Sequence, residues 1–164
     1  MPNRDRGPAE KGSRKCLQDA VRDNVAALNE QIICASPSLL IFNPMSIEWI
    51  SPRADRDYLE YRDDFLDALE LSSLSPKLRQ FWPKGGPQWD GLATVQGAGR
   101  DRGLLFVEAK AHPEERCSDC GASPESRKVI EQSLRRVQAH MAGRERDWRR
   151  STTSSPTAWP TSSS

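Results

Sequence analysis

With 164 residues, 36% of them hydrophobic and 29% charged, the chain is long enough for one domain with a modest core and too apolar to be disordered throughout. Its formal net charge is +1, so overall basicity does not advertise a nucleic-acid partner, and any such partner depends on a local patch. No apolar run reaches the length of a membrane span, no apolar leader is present, and four Cys at 16, 34, 117 and 120 lack the density of a disulfide framework. A soluble, cytoplasmic protein in a reducing compartment is the expectation.

Residues 1–15 are charged and read as a polar, disordered leader. Over 16–35, Leu17, Val21, Val25, Leu28, Ile32 and Ile33 recur at helical spacing and predict an amphipathic helix that Pro37 ends. Leu39 to Phe42 is a short apolar run, and Ile47 to Ile50 suits a strand or an extended link. Tyr58, Tyr61, Phe65, Ala68 and Leu69 predict a second helix over Asp55 to Leu71. Ser75-Pro76 suits the start of a short helix reaching Phe81, and Lys84-Gly85-Gly86-Pro87 is a loop.

Gln88 to Val95 and Leu104 to Ala111 read as two strands of an antiparallel hairpin, joined through the Gly-rich stretch 96–103. A third helix is expected over Ser123 to Met141, with Val129, Ile130, Leu134, Val137 and Met141 as its apolar stripe. The order is helix, helix, hairpin, helix, a mixed α/β pattern with few strands.

Side chains alternate across a strand, so Phe106, Glu108 and Lys110 share one face of the second hairpin strand and Leu105, Val107 and Ala109 the other. A carboxylate and an ammonium then project together, their Cα atoms roughly 7 Å apart. Asp90 sits at the start of the partner strand, followed by Gly91, which permits close approach. Two carboxylates on neighbouring strands make a hard oxygen site for Mg²⁺ or Mn²⁺, and a Lys beside them can orient a water or stabilise developing charge. The plainer alternative is a surface ion pair between Glu108 and Lys110 at a strand end.

The segments Gly-Pro-Gln-Trp-Asp-Gly (86–91) and Leu-Leu-Phe-Val-Glu-Ala-Lys (104–110) resemble the PD-(D/E)XK nuclease superfamily. Pro87 stands three residues before Asp90 rather than beside it. The resemblance covers about residues 55–140. It implies a restriction-endonuclease-like mixed sheet flanked by helices, in a single nuclease-like domain over 16–148. It further implies Asp90 and Glu108 as metal ligands, Lys110 as the catalytic lysine, Mg²⁺ or Mn²⁺ as cofactor, and phosphodiester hydrolysis, in DNA in preference to RNA. The superfamily often adds an acid from an N-terminal helix. Asp57, Glu60, Asp63, Asp64 and Asp67 crowd the second predicted helix, and Glu60 is the choice among them. A second reading keeps the fold as a catalytically inactive module that binds nucleic acid or protein, which the near-neutral charge favours.

Other features carry competing readings. Cys117-x-x-Cys120 has zinc-ligand spacing, and His112 and His140 would complete a Cys₂His₂ set; a loop pair with incidental His residues is the plainer view. His112 is placed to touch a phosphate or to be simply solvated. Lys128, Arg135 and Arg136 on the third helix suit a phosphate backbone or a solvated face. Trp82 and Trp89 flank the loop before Asp90 as core residues or as stacking platforms.

Ten of the last fourteen residues, 151–164, are Ser or Thr, a composition that cannot bury a core and reads as a disordered tail over 149–164. Codons can be chosen for Arg149 to Thr161 whose shifted frame reads Glu-Val-Tyr-Tyr-Gln-Leu-Pro-Asn-Arg-Leu-Ala-His, a segment typical of a folded domain. The hypothesis is a frame slip near Trp148 that leaves the fold incomplete at its C-terminus. A gene sequence whose alternative frame is closed, or lacks this apolar segment, removes it.

Overall fold

The computed structural model describes residues 7–36, 39, 46–99, 102–112 and 121–140, with the backbone alone at His140. The chain divides into two compact units, Met1–His112 and Pro113–Ser164. Pro37, the run 40–42, Cys117, Cys120, the side chain of His140, Met141 and the Ser/Thr-rich tail lie outside the described residues. Among those described, no helix is long and apolar enough to cross a membrane.

The first unit begins with two helices, α1 (Gly12–Asp23) and α2 (Val25–Ala35), where the periodicity predicts one. Asn24 breaks the run with φ −148° and ψ 44°. The apolar stripe continues across the break, because Leu17, Val21, Leu28, Ile32 and Ile33 all pack on the same cluster. Helix α1 also starts inside the stretch read as a leader. The backbone before it is tied down, Ala9 N–H donating to Gln18 Oε1 at 2.8 Å and Gly7 N–H to the Asp57 carbonyl at 2.8 Å.

Three antiparallel strands form an open sheet in the order β1 (Ser46–Ser51), β2 (Gly91–Gln96), β3 (Arg102–Val107). The register pairs Ile47 with Val95 and Trp49 with Ala93, then Ala93 with Leu105 and Gly91 with Val107. Directly opposed residues share a face. Ile47, Trp49, Ala93, Val95, Leu105 and Val107 thus line one face, which the stripe of α1 and α2 covers. Leu92 and Phe106 are paired on the opposite face, where Phe106 meets Phe65 edge-on and tilts against Trp89. The second face is therefore covered at its Leu92–Phe106 end, while Glu48 and Leu104 on the same face are exposed.

The helix predicted over Asp55 to Leu71 does not form. Asp57, Tyr58 and Glu70 have φ of 53°, 51° and 59°, which a right-handed helix excludes. A 3₁₀ turn at Ala54–Arg56 is followed by a left-handed turn at Asp57 and Tyr58 and by irregular chain, then by the short helix α3 (Phe65–Ala68). Tyr61 pairs with Trp89 in an isolated antiparallel bridge. The helix expected after Ser75-Pro76 is present as α4 (Ser75–Phe81), with the proline in its first turn. In the second unit, α5 spans Pro124–His140, close to the expected bounds. Ser123 caps it, its Oγ accepting from Ser126 N–H at 3.3 Å.

Candidate functional site

The hairpin is present, but its ladder is shorter than the alternation predicts. β2 begins at Gly91 rather than Gln88, and β3 ends at Val107 rather than Ala111. Other contacts replace the β2–β3 pairing at both places. Gln88 donates its side-chain amide to Glu60, and Trp89 N–H donates to the Tyr61 carbonyl at 3.0 Å. Ala109 N–H, past the strand end, donates to Asp90 Oδ2 at 2.7 Å.

That last bond joins the two halves of the sequence motif. Asp90 directly precedes the pair Gly91–Val107, so the register carried one step further sets Asp90 against Glu108. Alternation persists beyond the ladder: Ala109 packs against the core cluster, while Lys110 and Glu108 form an ion pair with each other. Gly91 permits this close junction. A Cβ there would lie 2.9 Å from Trp49 Cζ3, 3.1 Å from Val107 Cβ and 3.2 Å from Leu17 Cδ2.

On the other side of Asp90, the Tyr61–Trp89 bridge carries Glu60 alongside in the backbone. Glu60 does not stand on a helix, as the sequence reading requires. Its side chain is 4% exposed and meets Arg14 Nε at 2.6 Å. Three of the other acids of that segment are engaged elsewhere. Asp63 binds Arg79 at 2.7 Å, Asp64 accepts from Arg62 N–H at 2.9 Å, and Asp67 accepts from Ser72 Oγ at 2.7 Å. Arg14 is not among the residues that the sequence singles out, because it lies in the stretch read as a leader. A basic residue in a charged segment gives no local signal of a partner so far along the chain.

Burial pushes the Asp90 carboxyl above the usual carboxylate range, and the negative charge of Glu108 adds to the effect. The Ala109 amide, Lys110 and Arg14 oppose it without cancelling it. The negative charge of Glu108 thus bears on Asp90 at the open end of the hairpin. Among the described residues no three His, Cys, Asp or Glu side chains are grouped so as to hold a metal ion. His112 is exposed, and Cys16 and Cys34 are exposed free thiols. On α5, Arg127, Lys128, Arg135 and Arg136 are exposed, with Val129, Ile130, Leu134 and Val137 half-buried. Comparisons with protein-family models, curated proteins and solved structures found no match to this chain.

Proposed function

We propose that the chain is a metal-dependent phosphodiesterase of the PD-(D/E)XK type, with a restriction-endonuclease-like core and nucleic acid, DNA in preference to RNA, as substrate. The observation that supports this reading best is the bond from Ala109 N–H to Asp90 Oδ2. It fixes the aspartate of one motif segment to the Glu-Ala-Lys of the other, although seventeen residues separate Asp90 from Glu108.

The donor set fits a hard divalent cation. Mg²⁺ is commonly held by one or two carboxylates and keeps several waters, so a third acid is not required. Two carboxylates that repel one another in a partly buried place gain from a shared cation, and Asp90 shows that repulsion. Asp90 and Glu108 would hold Mg²⁺ or Mn²⁺. When bound, such an ion supplies Lewis-acid polarisation of a phosphate oxygen and a more acidic water.

The chain's own groups do the rest. The Ala109 amide holds the Asp90 carboxylate in one orientation. Lys110, paired with Glu108, sits where its ammonium can donate to the attacking oxygen or to a phosphoryl oxygen as charge builds there. Arg14 neutralises Glu60, which removes a third negative charge from the surroundings of a polyanionic substrate.

The test is cleavage of plasmid and single-stranded DNA in Mg²⁺ and in EDTA. Cleavage in Mg²⁺ alone is expected, falling at least about 100-fold in Lys110→Ala. Equal cleavage by the parent and Lys110→Ala removes the mechanism. The second reading, an inactive module that binds nucleic acid or protein, is favoured by the Lys110–Glu108 pair and the net charge of +1. Retained binding with no cleavage in any divalent metal would select it.

A further inference from the structure

Helix α1 delivers a cation to the end of the sheet where the proposed site lies. Arg14 stands in its first turn, and its Nε meets Glu60 Oε1 at 2.6 Å. The Tyr61–Trp89 bridge, carried one step further, sets Glu60 against Asp90 in the backbone. The Gly91–Val107 pair sets Glu108 against Asp90 from the other side. Glu60, Asp90 and Glu108 thus follow one another across neighbouring segments. Arg14 meets the first of them, and its positive charge is felt at Asp90.

The two partners of this ion pair differ in what they show to solvent. The Glu60 side chain is 4% exposed and that of Arg14 27% exposed. The carboxylate is shut in, so the guanidinium is the group that a solute meets. Nor is the guanidinium saturated. Its contact with Glu60 is one of charge, without an aligned hydrogen bond. Nη2 donates to the Gly7 carbonyl at 3.3 Å, and Nη1 has no acceptor among the described residues. The planar fork of an arginine can hold a carboxylate along one edge while it donates to phosphate oxygens from another. The other cation at this place, Lys110, is paired with Glu108. An exposed guanidinium with an unused donor, beside acids that a metal would neutralise, suits an anion arriving from solvent.

We infer that Arg14 is a phosphate-binding residue of the proposed site, donating through Nη1 to a backbone phosphate of the strand held at Asp90 and Glu108. The inference rests on the nuclease reading for the nature of the polyanion and adds a contact which that reading does not assign. Glu60 then becomes a positioning residue: it holds the guanidinium in place without touching the strand.

The salt dependence of binding tests this, with the full chain and a labelled, non-cleavable single strand in Mg²⁺. A cation that neutralises one phosphate adds about 0.7 to the magnitude of the slope of log K against log salt. Arg14→Gln alone would bury the Glu60 charge without its guanidinium, so the double variant Arg14→Gln/Glu60→Gln is compared with Glu60→Gln. The double variant should bind about 10-fold or more weakly and lose about 0.7 from the slope. Equal affinity and equal slope in the two overturn the proposal and leave Arg14 as a counter-ion of Glu60. Arg14→Lys keeps the buried pair and covers the case of a double variant that does not fold. It should keep the slope and bind several-fold more weakly, because a point charge replaces the fork; parent-like affinity there also overturns the proposal. Cleavage in Mg²⁺ by the parent, with equal slopes in the two Gln variants, would preserve the nuclease reading and discard the Arg14 contact. Loss of slope in the double variant, without cleavage by the parent in any divalent metal, would do the reverse. A parent that binds no strand removes both.

Discussion

Asp90 is subject to two opposing demands. Its carboxylate must stay ionised to hold a cation, yet burial and Glu108 make ionisation costly in the native state. The carboxyl is raised on folding, so Asp90 subtracts from stability above its native pKa, and that loss disappears as pH falls through it. Asp90→Asn keeps an oxygen for the Ala109 amide and removes the charge. It is expected to melt at a higher temperature than the parent at neutral pH, with the gap closing as pH falls into the carboxylate range. Thermal denaturation at a series of pH values checks this, and a pH-independent gap refutes it. Glu60 presents the opposite case, a buried carboxylate whose charge is matched. Removing one partner of a buried pair leaves the other uncompensated, whereas removing both is often nearly neutral. Glu60→Met should cost about 2–4 kcal/mol, the lower part of the range for buried pairs because Arg14 is 27% exposed. Adding Arg14→Met should recover about 1 kcal/mol or more. Urea denaturation of the two variants measures both values, and additive losses would show that the pair is not coupled.

At the scale of elements, Gly91 is where α1, β1 and β3 converge on β2. The three atoms a Cβ would meet belong to Trp49, Val107 and Leu17, two of them buried in the core and none of them the end of a flexible polar chain. Gly91→Ala should therefore cost about 1–3 kcal/mol by overpacking, read as a lower denaturation midpoint. Loss of less than about 0.5 kcal/mol would mean that helix and sheet separate easily there. The same junction shows why some elements were legible in the sequence. The hairpin strands carry alternating apolar residues that face a real core, so their period of two survives in the fold. The stripe of α1 and α2 was legible too, but Asn24 was not, because a break that preserves the stripe leaves the periodicity intact. The expected helix over 55–71 misleads for a different reason. Tyr58, Tyr61 and Phe65 are spaced like a helical face, yet Tyr61 is held by Trp89 and Phe65 by Phe106, partners beyond any local window. That the Asp90 and Glu-Ala-Lys segments are neighbours was legible because each lies on or beside a strand of the hairpin. Arg14 and Gln88 were missed because their roles arise only from long-range pairing with Glu60.

For the whole molecule, the charge balance constrains how a polyanion can be held. The chain has 24 Lys and Arg against 23 Asp and Glu. In the first unit many of the cations are already paired: Arg14 with Glu60, Lys15 with Asp19, Arg22 with Asp19 and Asp23, Arg53 with Asp55, Arg79 with Asp63, and Lys110 with Glu108. Each phosphate contact that such a cation makes must compete with a carboxylate. Affinity that came from cations alone would release a counterion for each phosphate neutralised and fall steeply with salt, by about 0.7 of a log unit per contact for each tenfold rise. Affinity that came from a metal at Asp90 and Glu108 would need few such contacts. The expected slope of log K against log salt for a single strand is therefore shallow, about 3 or less in magnitude, equivalent to about four phosphates or fewer. Fluorescence anisotropy across a salt series, with a non-cleavable strand in Mg²⁺, gives the slope. A slope well above that value would place the binding on a cationic face, such as the exposed Lys128, Arg135 and Arg136 of α5, and remove the metal as the main source of affinity.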